Sequence, residues 1–368
     1  MSLILDGSNG ITFPNSSTQA VGFYGFKNRI INGAMVIDQR NAGASVTPTT
    51  DSQYTLDRWQ VQISQSSKFS VQQNAGSVTL PVGFTNYLGA TSLSSYSVLT
   101  GDYFELVQPI EGFNCSDLAW GTANAQTVTL SFRVYSSLTG TFGGSIQNSA
   151  QNRSYPFSYT VSSANTWTTI SVTVAGDTTG TWLTNNGRGI YVKFSLGAGA
   201  TYSGTAGAWS SSLYLSATGA TSVVGTNGAT FYITGVQLEA GSTATSFDYR
   251  PYGTELALCQ RYYYRTIPVA TCDSAVGFVL TSTTANVYTQ LPVQMRTYPT
   301  ALEQSGTASD YSVRNLNTFT VCTAVPTISG YTQNIVATNL TTTGLTAGQG
   351  CALRMVNTNA YLGWSAEL

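Results

Sequence analysis

Histidine is absent from the 368 residues, and charge is scarce: 15 Lys+Arg and 16 Asp+Glu make 8% of the chain, against about a quarter in an ordinary soluble domain. Without imidazole the chain lacks the commonest general base and the usual partner of a nucleophilic Ser or Cys. Any catalysis would fall to a few carboxylates. A formal net charge of −1 with no Lys/Arg cluster offers phosphates no electrostatic footprint, so no nucleic-acid partner is expected. No run of about 18 apolar residues occurs, and the opening MSLILDGSNG has neither the basic start nor the apolar stretch of a secretory leader. Membrane insertion is not expected, and synthesis is expected in a cytoplasm. The cysteines Cys115, Cys259, Cys272, Cys322 and Cys351 are odd in number and scattered, with no CxxC. They read as buried thiols, not as disulfides or a zinc set. Gly197-Ala198-Gly199-Ala200 lacks the helix and Lys of a phosphate loop, and no cofactor is expected. No EF-hand-like run of acids appears, which leaves calcium at a sheet edge open.

What is present is uncharged polarity with rings: 36 Gly, 22 Tyr, 15 Phe and 6 Trp among many Ser, Thr, Asn and Gln, with 42% hydrophobic residues. That content supports ordinary cores, and the length suits two domains at about 150 residues each. Residues 127–135, 168–174 and 190–196 alternate apolar with polar side chains, are rich in β-branched and aromatic types, and end in Gly- or Asn-rich turns. This period of two predicts half-buried strands, and their spacing predicts an all-β chain built on an antiparallel sandwich or jelly roll.

Four parts are expected. In residues 1–25, Leu3, Leu5, Ile11 and Phe13 alternate around a turn; so small an element cannot bury its own apolar side chains, and it reads as a docking arm. Residues 26–252 form the jelly-roll β-sandwich. Residues 253–264 hold the best helical turn, with Thr254 as N-cap and Leu256, Cys259 and Tyr263 on one face. Residues 265–368 resume the strand pattern as a smaller C-terminal β-domain. Tyr262-Tyr263-Tyr264 reads as a subunit contact.

Candidate sites follow from residue type. Pyranose faces stack on flat rings while amides and hydroxyls read sugar hydroxyls, so Trp182, Trp209, Tyr202 and Tyr155, all in or beside turn-rich stretches, are the candidate glycan contacts; a core or subunit-interface place suits such rings better still, because aromatics dominate both. Asp57, Arg58 and Trp59 suit a framework in which an acid and a guanidinium lock a strand start beside a buried indole. Glu239 and Arg250 suit a buried pair holding the closing strand. Asp102, Glu105 and Asp177 are the carboxylates that glycoside hydrolysis could use, yet their context does not single them out, and catalysis is not expected.

Three passages carry a resemblance. NRIINGAMVIDQRN at residues 28–41 with YTLDRW at 54–59 resembles the NGDF..xQR…YxxDRW opening of tailed-bacteriophage fibre and decoration proteins. GVQLEAG at 235–241, FDYRP at 247–251 and ELALCQRYY at 255–263 resemble the closing strand and joint of that group, and LDGSNGITFP at 5–14 resembles its short attachment arms. Ala34-Met35 replaces the commoner acidic-aromatic pair. The middle segment is similar to jelly-roll carbohydrate-binding modules. The resemblance implies a homotrimeric virion component: a tail fibre that adheres to host surface polysaccharide, or alternatively a capsid fibre or decoration protein, with a depolymerase as the third reading. It also implies contacts with other virion proteins through the arm.

Overall fold

The structure, a computed structural model, describes residues 27–266, 272–316 and 318–368, together with the backbone of three short strands, Ile4–Asp6, Gly10–Thr12 and Thr18–Gln19. Leu5 pairs with Ile11 in that antiparallel ribbon; Leu3 and Phe13 lie outside the described residues, as do the side chains of Leu5 and Ile11.

Alternation builds the two sheets of the sandwich. One has six strands in the order Ser154–Val161, Gly140–Asn148, Arg188–Ala198, Tyr103–Glu111, Trp59–Ile63 and Gln53–Leu56. The other has five: Thr168–Val174, Val128–Ser136, Thr230–Ala240, Leu88–Ser92 and Phe69–Gln73. Every pairing within them is antiparallel, and central neighbours are far apart in sequence, as the jelly-roll expectation requires. Ile190, Val192, Phe194 and Leu196 point between the sheets and share one core with Leu130, Phe132, Val134, Trp59 and Phe104. The polar residues between them, Tyr191, Lys193 and Ser195, point the other way and are nevertheless no more than 2% exposed. Their cover is residues 199–217, which lie across the outer face of the six-stranded sheet and form a short parallel ladder between Ser203–Gly204 and Ser216–Ala217.

The segment at 28–41 wraps the edge of this sandwich. Asn32 adopts a left-handed backbone (φ +59°), and a Cβ on Gly33 would stand 2.2 Å from the Val236 carbonyl oxygen. Only glycine allows that approach, through which Val236 N–H reaches the Gly33 carbonyl at 2.9 Å. Asn32 then serves as a hub: its amide donates to the carbonyls of Ile37 and Asp57 at 2.8 and 3.0 Å, and its own carbonyl accepts from the Trp59 indole at 3.1 Å.

The one α-helix among the described residues runs Tyr252–Gln260, with its N-cap at Pro251, three residues before the expected Thr254 cap. Pro251 precedes it with an extended backbone, and its carbonyl accepts from the Thr254 and Glu255 amides, so proline's fixed φ starts the helix and Thr254 falls in its first turn. Cys259 and Tyr262 pack on Ile31 and Ile37.

Beyond the helix, a seven-stranded sheet runs Thr318–Val321, Tyr311–Asn315, Gly350–Met355, Asp273–Val279, Thr284–Gln290, Ile335–Thr341 and Ala324–Tyr331. Its two edge strands are consecutive in sequence, so it curls around a core that includes Val279, Val287, Met295, Tyr311, Leu353 and Trp364. A three-stranded sheet of Tyr263–Arg265, Leu362–Ser365 and Ala301–Gln304 adjoins it. The tyrosine triplet is corrected here: Tyr262 and Tyr263 are fully buried within the chain and Tyr264 stacks on Trp364 at 5.8 Å. These rings join the sandwich to the C-terminal unit, and Tyr262 and Tyr263, buried within the chain, present no surface for a subunit contact. Four cysteines are buried and free; Cys272 is exposed.

Candidate functional site

The four candidate glycan rings fall into two places. Trp182 and Trp209 meet Trp120 edge to face, with centroids 4.7 Å (Trp120–Trp182) and 5.4 Å (Trp182–Trp209, Trp120–Trp209) apart. Tyr155 abuts Trp209 at 5.2 Å. Each indole N–H is taken by a backbone carbonyl: Trp120 by Gln126 at 2.7 Å, Trp182 by Thr179 at 3.2 Å, and Trp209 by Ala175 at 2.7 Å. Beside them Arg153 grips Asp177 through two hydrogen bonds of 2.7 and 2.8 Å. Burial pushes the Asp177 carboxyl up, but Arg153 and the Thr179 amide and hydroxyl outweigh it and hold it below the ordinary range. The assembly is a knot tying three loops at one end of the sandwich, with its polar groups already satisfied. Tyr155 is corrected from contact to core: it is only 8% exposed and faces the sandwich interior.

Tyr202 lies elsewhere, edge-on to Tyr103 at 5.3 Å, in a cleft of about 220 Å³ on the outer face of the six-stranded sheet. Asp51, Gln62, Gln151, Arg188, Tyr191, Lys193 and Leu215 also line it. Strand register places the polar groups. Lys193 lies opposite Val107 and Ser145, and Glu105 opposite Ser195 and Gln62. Lys193 Nζ donates to Gln62 Oε1 at 2.6 Å and stands 3.4 Å from Glu105 Oε2. Both members of that ion pair are fully buried. Even so, neither Glu105 oxygen has a hydrogen-bond partner, and the same holds for Ser145 Oγ, Gln147 Oε1 and Ser216 Oγ nearby. Buried polar groups are ordinarily satisfied. These atoms are shielded from solvent and lie behind the cleft, whose own lining carries Tyr103, Tyr202, Gln62, Gln151 and Arg188.

Burial pushes the Glu105 carboxyl from its ordinary 4.5 to about 7 against the pull of Lys193, and burial lowers the Lys193 ammonium. A carboxyl whose pKa is higher folded than unfolded contributes stability that is present below pH 4.5 and lost as pH rises through about 7. Across that window the wild type should lose on the order of 2–3 kcal/mol relative to a Glu105→Gln/Lys193→Met double variant. Urea unfolding at several pH values measures this, and parallel curves would refute it.

A second cleft, about 210 Å³, lies between Phe84, Phe247, Tyr249 and the 28–36 segment. Its polar groups are committed: Asp248 accepts from the Lys27 and Asn28 amides, and Arg250 donates to Ile30 O and pairs with Glu255. Glu239 accepts from Gln237 Nε2 and from the Thr245 amide and hydroxyl. Asp57 accepts from the Gln39 amide and side chain at 2.7 and 2.5 Å, Arg58 pairs with Glu367, and Trp59 is fully buried. Asp102 accepts from Ser64, Tyr96 and the Leu99 amide, which leaves it capping a loop. No group of three or more His, Cys, Asp or Glu among the described residues could hold a metal ion, and none of the helices described is long and apolar enough to cross a membrane.

Of the residues lining the cleft, Tyr202 alone is a sequence candidate for glycan contact, and Glu105 behind it is one of the carboxylates weighed for hydrolysis. The run Ile190-Tyr191-Val192-Lys193 put Tyr191 and Lys193 on one face, the only signal of the rest.

No family model and no curated protein matches this chain. Among solved structures, a family 4 carbohydrate-binding module aligns with 58% of this chain and 99% of its own, at 14% identity and a TM-score of 0.30. A family 11 carbohydrate-binding module from Clostridium thermocellum, in complex with a β-1,3-1,4-mixed-linked tetrasaccharide, aligns with 54% of this chain and 98% of its own, at 11% identity and a TM-score of 0.28. An arabinose-bound GH51 α-L-arabinofuranosidase aligns with 60% of this chain but 27% of its own, at 14% identity and a TM-score of 0.33. Likenesses this weak transfer neither ligand nor activity.

Proposed function

We propose that the chain is a non-catalytic glycan-binding protein that holds sugar in the cleft between Tyr103 and Tyr202. The observation that carries the reading is the cleft's own lining, in which the rings of Tyr103 and Tyr202 stand beside the side chains of Gln62, Gln151 and Arg188. Rings supply the apolar platform for a pyranose face, and amide and hydroxyl groups fix its orientation. Binding without turnover is supported by the engagement of Asp102 and Asp177 in loop caps.

Tyr202→Ala should weaken glycan binding by roughly tenfold, the loss of about 1.4 kcal/mol of ring contact. Isothermal titration against oligosaccharides from a glycan array tests it. A wild-type chain that binds no glycan, or a Tyr202→Ala variant that binds as tightly as wild type, would overturn the reading.

The proposed setting is a trimeric tail fibre on a phage particle, where weak single-site binding to host polysaccharide is multiplied by valency. Its support is the set of sequence passages quoted above, together with Val276, Phe278, Tyr288 and Phe319, which stand 40–68% exposed on the C-terminal unit and which assembly between copies would cover. Antibody labelling of intact particles against the C-terminal unit tests the location: tail label agrees, head label favours the decoration alternative, and absence from particles refutes both.

A further inference from the structure

Arg188 opens the strand that floors the cleft, and among the described residues its guanidinium has no hydrogen-bond or ion-pair partner; its Nε is buried without one. The ring of Tyr191 lies beneath it at 4.4 Å. Its cross-strand neighbour in the ladder is Glu111, but that carboxylate is held by Arg261 at 2.6 and 3.0 Å and by the Tyr262 hydroxyl at 2.5 Å. Two other cations whose charge acts on Arg188 are supplied too: Arg58 by Glu367 and the Pro109 carbonyl, and Arg296 by the carbonyls of Asn186, Ala366 and Glu367. Of the carboxylates in or beside the cleft, Glu105 is matched to Lys193, while Asp51 is exposed and accepts from the Ile63 amide and the Ser52 hydroxyl. Burial lowers the Arg188 pKa; Tyr54 opposes it, and the like charges of Arg296 and Arg58 add to the lowering.

A half-buried guanidinium without an anion is an unstable arrangement unless a ligand completes it. From this geometry we infer that the cleft selects acidic sugars, with Arg188 taking the carboxylate of a uronic or sialic acid as a bidentate pair while the tyrosines hold the ring. The inference rests on the glycan-binding reading above and adds the class of sugar. Lysine would substitute only in part, keeping the charge but losing the planar fork that lies over Tyr191 and matches the two carboxylate oxygens.

The test uses the full chain and a panel of uronic- and sialic-acid oligosaccharides, each paired with its carboxyl methyl ester, which keeps the shape and removes the charge. Acidic members should bind at least about tenfold more tightly than their esters, with the ratio shrinking as salt rises. In Arg188→Gln, and in Arg188→Lys to a smaller extent, the ratio should fall toward one, with the fold of each variant checked by its melting transition. If esters and neutral sugars bind as well as the acids, selection by Arg188 is refuted while glycan binding stands. If no member of a broad panel, acidic or neutral, binds the wild type, the glycan reading itself fails and this inference with it.

Discussion

Arg58→Ala should destabilise the chain by about 3–5 kcal/mol, the usual cost of leaving one member of a buried ion pair without the other. Arg58 is 1% exposed, pairs with Glu367, donates to the Pro109 carbonyl at 2.6 Å, and lies 3.6 Å over the Tyr262 ring. Glu367 is also gripped by Arg40 at 3.2 Å, and Arg40 in turn pairs with Glu303 at 2.8 Å and covers Tyr263 at 3.6 Å. Burial, the largest single influence, would lower the Arg58 pKa, but Glu367 acting together with Tyr262, Tyr54 and Cys259 outweighs it, and the net direction is upward. The two residues belong to different parts of the chain, one at the start of a sandwich strand and one at the C-terminal end, so the pair clamps the sandwich to the C-terminal unit. Replacing both, as Arg58→Met with Glu367→Leu, should recover most of the loss, because an apolar pair needs no mutual neutralisation and Arg40 keeps Glu303. Urea unfolding followed by fluorescence reads both effects. A single variant within 1 kcal/mol of wild type would show that this contact does not hold the junction.

Trp182→Ala should cost about 2–4 kcal/mol, toward the lower part of the range for removing an indole from a core because Trp182 is half-buried. The loss comes from the faces of Trp120 and Trp209, which the ring closes at 4.7 and 5.4 Å, and from freeing the loop that its N–H ties at Thr179. Glycan affinity should stay at the wild-type level, since the indole is not among the residues lining the tyrosine cleft. Thermal melts and titration on the same preparation separate the two. A folded Trp182→Ala variant with affinity lowered tenfold would make the tryptophan knot the sugar platform and displace the cleft.

The chemistry of a framework and of a site looks alike in sequence, and the aromatic candidates illustrate this. Trp182, Trp209 and Tyr155 sit in turn-rich stretches like Tyr202, and nothing in spacing separates them. Three-dimensional neighbours do: an edge-to-face trio consumes the first three, and an open cleft receives the fourth. Asp57-Arg58-Trp59 reads as framework from residue type, but Arg58 is held by a carboxylate 309 positions away, a distance no local pattern encodes. The helix start is a smaller case, where Thr254 is the better N-cap by type and Pro251 governs by its fixed φ.

By itself, the sequence determined the all-β class, the inward rows such as Ile190, Val192, Phe194 and Leu196, and the absence of imidazole and charge clusters, because period and composition are local properties that survive without a fold. Only the tertiary structure decided that Tyr191 and Lys193, which alternation sends outward, would be covered by residues 199–217 and that Glu105 would be buried beside them. It alone left Arg188 without an anion. The physical reason is that desolvation and pairing depend on which distant segments close over a residue, and that is settled by how the sheets and their covering loop pack.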